Sequence, residues 1–346
     1  MLLYTDFPRW LTPEIIPGLP LRWYGMMYLV AFGLTWVLTR RLINRKMLSL
    51  SRSVSEDDLV NLFFWTIIGL LLGARFLAAL LYDTTGRYLA RPWLIFWPFD
   101  SQMNFTGLQG MSYHGGLIGA VIAFVAYCKV KKIEVLEMGD IFTTAIPLGY
   151  TFGRLGNFIN RELYGRITSS SWGILFPNAA PVPTSHPAVQ QIAAETGIDI
   201  VGQSFVNLPR HPSQLYEAFL EGVLLWAVMW FILRPRRPFK GFMVGVYLVG
   251  YALARFVAEY FRAPDPGIDF VIQWGPANNP NWLLLSPLNL TMGQLLSLLM
   301  ALSGVVVLLI FRAWSLRNPR VETFVPADAP SRAASRRKQR RRARRS

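Results

Sequence analysis

Seven long apolar blocks run along this chain, at about Trp23–Leu38, Leu59–Tyr82, Met111–Cys128, Ile133–Ile159, Gln214–Leu233, Gly241–Phe261 and Thr291–Phe311. Polar or proline-rich connections separate them. Each block is long enough, or nearly so, to cross about 30 Å of hydrocarbon at about 1.5 Å per helical residue. The pattern predicts an all-α polytopic membrane protein with seven transmembrane helices. The block Trp93–Phe99 (WLIFWPF) is too short to span and reads as an interfacial aromatic anchor on an outer connection. Basic residues orient the spans. One side carries Arg40, Arg41, Arg45, Lys46 and Arg52, then Lys129, Lys131 and Lys132, then Arg234, Arg236, Arg237 and Lys240, and twelve more from Arg312 to Arg345, 24 in all. The other side carries seven: Arg9, Arg22, Arg87, Arg91, Arg161, Arg166 and Arg210. The N-terminus is therefore expected outside and the C-terminus in the cytoplasm.

Composition supports this reading. The chain has 346 residues, 53% hydrophobic and 16% charged, which is too apolar for an ordinary soluble domain. The formal charge of +15 is concentrated at one end, with nine Lys/Arg between Arg332 and Arg345. The reading is a membrane domain over residues 1–320 and a disordered basic cytoplasmic tail over 321–346, drawn to anionic lipid. No nucleic-acid partner is expected. Within the membrane domain, an outer arm is expected at about 83–110 and a small outer head at about 161–210. The head contains FPNAAPVPTSHP followed by AVQQIAAETGIDI, proline turns and then a short amphipathic stretch. The single cysteine, Cys128, excludes an intrachain disulfide and lies where the chain should meet the reducing cytoplasm. The first residues lack a basic stretch followed by an apolar run, so no cleavable leader is expected.

Four spans carry polar residues that are costly near hydrocarbon, all toward the outer end. Arg75 lies in GARF, about 10 Å in from that end. His114 opens the third span, followed by Gly115 and Gly116. Arg154 and Asn157 share a helical face in GRLGNFINRELYGR, residues 153–166, where Gly165 and Arg166 break the helical pattern. In the sixth span Tyr251, Arg255, Glu259 and Arg262 fall on one stripe about 80° wide. Structure alone would make these a snorkelling arginine, a packed histidine and a salt-bridge stripe. In the functional reading, Glu259 orients an arginine whose other donors meet a ligand. HPSQLYEA, residues 211–218, opens the fifth span. His211 and Gln214 read as its cap, followed by Tyr216 and Glu217, and structure alone could explain it. There is no ligand cluster with metal spacing, no nucleophile elbow, no P-loop and no dinucleotide motif. Arginine forks match phosphate oxygens bidentately, so a phospholipid head group entering from the outer leaflet is the simplest anion. An anionic-lipid flippase or an arginine-filter channel would use the same arginines. The lack of internal repeats argues against both, as does Asp140 and Glu221 failing to form an inner polar chain. A scaffold would leave the arginines needing only one another.

Five stretches, spread through the chain in order, resemble one family. They are RWYGMMY (residues 22–28), YHGGLIG (113–119), GRLGNFINRELYGR, HPSQLYEA and YALARFVAEYFR (251–262). The chain resembles bacterial phosphatidylglycerol–prolipoprotein diacylglyceryl transferases over all but the tail and details of the head. It departs from the family's pattern at Arg161, where glycine is expected. The resemblance implies a transferase of the bacterial cytoplasmic (inner) membrane, with its site facing the outer leaflet. It would move the diacylglyceryl group of phosphatidylglycerol to the lipobox cysteine of a preprolipoprotein and release glycerol phosphate. By motif, Tyr24, His114, Arg154 and Arg255 would be catalytic. Arg154, Asn157, Gly165, Tyr251, Arg255 and Glu259 would bind phosphatidylglycerol. No metal or organic cofactor is implied. His114 is the candidate general base for the thiol, and the arginines would meet the charge growing on the phosphate.

Overall fold

The computed structural model describes residues 4–16, 18, 21–83, 86–99, 102–104, 110–264, 267, 269–275, 282, 284 and 286–317. The basic tail at 321–346 and parts of the arm lie outside the described residues. In chain order the elements are β1 (Thr5–Asp6), α1 (Trp23–Asn44), α2 (Glu56–Tyr82), α3 (Arg87–Ala90), α4 (Tyr113–Val130) and α5 (Val135–Ile159). There follow β2 (Ile174–Leu175), β3 (Val182–Pro183), α6 (Pro187–Thr196) and β4 (Phe205–Val206). The last part holds α7 (Ser213–Arg236), α8 (Phe242–Glu259), β5 (Phe270–Ile272), β6 (Leu290–Thr291) and α9 (Met292–Arg317). The chain forms two compact units, residues 42–138 and the remainder.

Among the described residues, six helices are long and apolar enough to cross a membrane: α1, α2, α4, α7, α8 and α9. The seventh expected span is α5. Its 25 residues are long enough, but it carries Glu137, Asp140 and Arg154 and is too polar to qualify by composition. Burial within protein explains that polarity. Asp140 and Thr144 are fully buried, and the Thr143 and Thr144 hydroxyls donate back to the backbone carbonyls of Gly139 and Asp140.

In the unit formed by 42–138, α2 starts with a capping box. Ser55 accepts from the Asp58 backbone, Asp58 accepts from the Ser55 backbone, and three acids occupy the first turn. Helices α2 and α4 cross at backbone contact through Gly69 and Gly73 on one and Gly115 and Gly119 on the other. A Cβ on Gly115 would collide with the Gly73 carbonyl and lie 2.5 Å from Leu77 Cβ. Arg75 is 5% exposed and holds the arm. It donates from Nε to the Ile95 carbonyl at 2.5 Å, from Nη2 to the Tyr88 hydroxyl at 2.9 Å and from Nη1 to the Gly110 carbonyl at 3.3 Å. The arm shows Leu89, Trp93, Phe96 and Trp97 on its surface around a buried Ile95.

In the other unit α5 is central. Gly149 of α5 sits against Ala31 and Thr35 of α1, and Thr151 of α5 fills the space at Gly222 of α7. Helix α8 packs on α9 where Gly245 meets Gly304. Asp140 closes the far end. Its carboxylate accepts from the backbone N–H groups of Gly241 and Val244, which open α8, and pairs with Arg237 at 2.8 Å. Asp140, 101 residues from Gly241 in sequence, is thus the cap of α8. Between α5 and α7 the chain folds over two small apolar clusters. One gathers Ile167, Val182, Val189, Ala193, Val206 and Leu208; the other gathers Phe7, Phe176 and Ala179. Each sheet has two strands: β1 is parallel to β2, and β3 with β4 and β5 with β6 are antiparallel.

Candidate active site

Arg154 lies near the end of α5, Glu217 at the start of α7 and Arg255 in the last turns of α8, so all three share the end of the helices next to residues 160–212. There they form one buried cluster. The fully buried Glu217 carboxylate stands between the arginines, with Oε2 2.9 Å from Arg154 Nε and 2.9 Å from Arg255 Nη1. Arg255 Nη1 is 3.7 Å from Glu221 Oε1, and its Nη2 is 2.6 Å from Glu259 Oε2. Tyr150 links the two sides. Its hydroxyl donates to Glu221 Oε2 at 2.5 Å and accepts from Arg154 Nε at 2.5 Å. Tyr251 donates to Tyr150 at 3.4 Å, and Glu259 accepts from the Thr291 hydroxyl at 3.0 Å.

Local structure puts the acids there. Ala218–Leu224 of α7 is a π-helix, a rare wide turn that often marks functional sites. It follows Glu217 and contains Glu221, which turns toward Tyr150 and Arg255. Both contacts of Arg154 are made through Nε. Among the described residues no protein group binds its two Nη nitrogens, and the side chain is 15% exposed. A guanidinium held by its inner nitrogen with its outer fork open is poised for a second anion.

Of the expected site residues, the structure brings Arg154, Tyr251, Arg255 and Glu259 together. Asn157 has another contact: its amide donates to Glu162 Oε1 at 2.8 Å and steadies the loop after α5. Gly165 is where strands of backbone nearly touch. A Cβ there would lie 2.6 Å from the His211 carbonyl, and the Gly165 N–H donates to that carbonyl at 2.8 Å. Tyr24 packs over Gly156, with its hydroxyl 3.0 Å from that of Tyr28. His114 lies in the unit formed by 42–138. It is exposed in the first turn of α4, which Ser112 caps, and its ring meets Tyr113 edge-on.

The cap expected from His211 and Gln214 is not formed. Neither side chain caps α7; the Gln214 amide donates to the Glu162 carbonyl at 2.7 Å and Ser213 to that of Leu163 at 3.1 Å. The HPSQ stretch therefore ties down the loop after α5 rather than its own helix. His211 is packed against Phe261 and Tyr216, and burial, then the Arg166 charge, pushes its pKa down to about 4. It is neutral at ordinary pH. His186 caps α6, its Nδ1 accepting from Ala188. His114 is the histidine left without a structural hydrogen bond among the described residues.

Sequence reasoning missed Tyr150 and Glu217 as site residues and left Glu221 isolated. The spacing signal was present: Tyr150–Arg154 and Glu217–Glu221 are both i,i+4 pairs, like Tyr251–Arg255–Glu259. Asp140 and Glu221 do not form a chain, since Asp140 belongs to the opposite end with Arg237.

The fold and site define a multi-pass membrane protein with a buried arginine–carboxylate cluster at one end of its helices. Residues 13–310 match the family described as prolipoprotein diacylglyceryl transferase, and the chain belongs to that family. It is 46% identical over 323 residues to the phosphatidylglycerol–prolipoprotein diacylglyceryl transferase of Treponema denticola, covering 90% of this chain and 95% of that protein. The Treponema pallidum protein of the same name is 44% identical over 313 residues, covering 88% and 94%. The one from Chlorobaculum tepidum is 38% identical over 310 residues, covering 88% and 91%.

Proposed function

We propose that this chain transfers the diacylglyceryl group of phosphatidylglycerol to the thiol of the lipobox cysteine of a preprolipoprotein, the first step of bacterial lipoprotein maturation. The bond between the diacylglyceryl carbon and the phosphate oxygen breaks, a sulfur–carbon bond forms, and glycerol phosphate leaves. Arg154 and Arg255 grip the phosphate, with Tyr251 and Asn157 as uncharged donors and Glu259 setting the Arg255 fork. The open Nη fork of Arg154 carries this reading. The leaving phosphate gains charge as the bond breaks, and a positioned donor to such charge contributes about 3–4 kcal/mol. The thiolate is the nucleophile, and a thiol of pKa near 8.5 needs help at neutral pH. His114 takes that proton, since His186 and His211 are engaged elsewhere. Tyr24 joins His114, Arg154 and Arg255 as a catalytic residue, and Gly165 belongs with the residues that bind phosphatidylglycerol.

The chain sits in the cytoplasmic membrane with seven spans, N-terminus outside and C-terminus inside, so the cluster meets the outer leaflet. Residues 1–320 form the membrane domain, with the arm at about 83–110 and the head at about 161–210; residues 321–346 form a peripheral basic tail. The test is purified protein incubated with phosphatidylglycerol and a lipobox peptide, following peptide mass and glycerol phosphate. A peptide that gains no diacylglyceryl mass from a folded protein overturns the proposal.

A further inference from the structure

Thr291 and Gln294 cap the start of α9 reciprocally. The Thr291 hydroxyl accepts from the Gln294 N–H at 3.2 Å, and the Gln294 amide oxygen accepts from the Thr291 N–H at 3.0 Å. A hydroxyl that accepts still has its own proton to give. Thr291 gives it to Glu259 Oε1 at 3.0 Å. All three side chains are buried. The Glu259 carboxylate also stands against Gly293, in the first turn of α9. A Cβ on Gly293 would lie 2.7 Å from Oε1 and 2.8 Å from the carboxyl carbon, so the carboxylate occupies the room that the glycine leaves. The positive end of a helix favours an acid there. The other oxygen, Oε2, is 2.6 Å from Arg255 Nη2. One oxygen is thus held by α9, which fixes where the other meets the guanidinium.

We propose that Thr291 and Gly293 are positioning residues: together they seat the Glu259 carboxylate at the start of α9 and, through it, set the Arg255 fork against the phosphate. This rests on the reading of Arg255 as part of the phosphate grip. Neither residue touches the lipid. Each acts by keeping Glu259 in one place, and a catalytic group misplaced by about 1 Å can cost about 100-fold in rate. The loss should fall on kcat more than on KM, because the phosphate gains its charge only as the bond breaks.

The experiment is peptide lipidation by the full-length protein in a non-ionic detergent, across phosphatidylglycerol concentrations, beside thermal melts. Gly293→Ala keeps both hydrogen bonds of the cap and pushes the carboxylate aside. It should melt near wild type, since alanine is the better helix former, yet show a kcat about 10- to 100-fold lower. Thr291→Val has the same shape without the hydroxyl and should slow by a similar factor; Thr291→Ser should recover most of the rate. Gln294→Ala breaks the other half of the cap and leaves the Glu259 contact in place. It should melt lower and lipidate at the wild-type rate. A wild-type kcat in folded Gly293→Ala overturns the proposal without touching the phosphate reading, and so does a Gln294→Ala protein as slow as Thr291→Val. A normal rate in Arg255→Lys would instead sink the phosphate reading itself. If Thr291→Val does not fold, Gly293→Ala decides the question.

Discussion

Two arginine roles separate at the residue scale, and lysine substitution tells them apart. Arg255 divides its nitrogens between Glu217, Glu221 and Glu259, while Arg154 keeps its outer fork open. Lysine restores the charge but not the planar fork. Arg255→Lys and Arg154→Lys should therefore insert and fold, yet transfer about 100- to 1000-fold more slowly, the cost of one preorganised donor. Peptide lipidation rates beside thermal melts check this, and a folded Arg255→Lys protein at near-normal rate would move the residue to the scaffold. A second residue prediction concerns Arg161. Its φ is 59°, in the left-handed region that costs a side-chain-bearing residue about 1–2 kcal/mol. The side chain offsets this by donating to the Leu11 carbonyl at 2.7 Å and lying over Phe7 at 4.8 Å. Arg161→Gly loses these contacts and the strain together, so its melting temperature should stay near wild type. Arg161→Ala keeps the strain alone and should melt several degrees lower; equal melting of the two variants would refute the argument. Arg154, Arg255 and Glu259 are legible in sequence because a charge in an apolar helix stands out, and Tyr251 because it lies on the Arg255–Glu259 stripe. Tyr150 does not stand out, since a tyrosine in a membrane helix looks like packing. Glu217 is masked by its place beside a helix start.

The helices themselves are legible because hydrocarbon demands length and apolarity, and six of them show both. What periodicity cannot reveal is how a polar helix is excused. Helix α5 carries Asp140 at one end, paired with Arg237 and capping α8, and Arg154 at the other, where Glu217 of α7 holds its Nε. The π-helical turns of α7, Ala218–Leu224 and Val228–Leu233, are likewise silent in sequence. Asp140 tests this view. Its partner Arg237 is 3% exposed, and breaking a buried pair by removing one member costs about 3–5 kcal/mol. Asp140→Ala also strips the cap from α8. The variant should melt far below wild type, while the protein that remains folded lipidates peptide at an undiminished rate, since Asp140 is remote from the cluster. A wild-type melting curve would show that the Asp140 cap is dispensable.

For the whole molecule, the open question of topology turns on whether α5 crosses the membrane. Asp140 meets Arg237 just after α7 and the start of α8, while Arg154 meets Glu217 at the start of α7, which also pairs with Arg255 of α8. The two contacts are 14 residues apart on one helix, about 21 Å at 1.5 Å per residue. On the proposed topology α5 crosses the membrane where α7 and α8 do. It pairs its charges with theirs instead of facing lipid. On that proposed topology, seven crossings place the two termini on opposite sides. The basic residues decide which: 24 Lys/Arg fall on the side of the C-terminus and seven on the other. A reporter enzyme active only outside the cytoplasm should be silent when fused after Arg320 and active when inserted at Ala180, in the connection between α5 and α7. An active reporter after Arg320 would refute the orientation. Silence at both sites, with the fusions shown to be made and inserted, would mean that α5 does not cross, and the arginine cluster would then face the wrong leaflet for a lipobox cysteine exported from the cell.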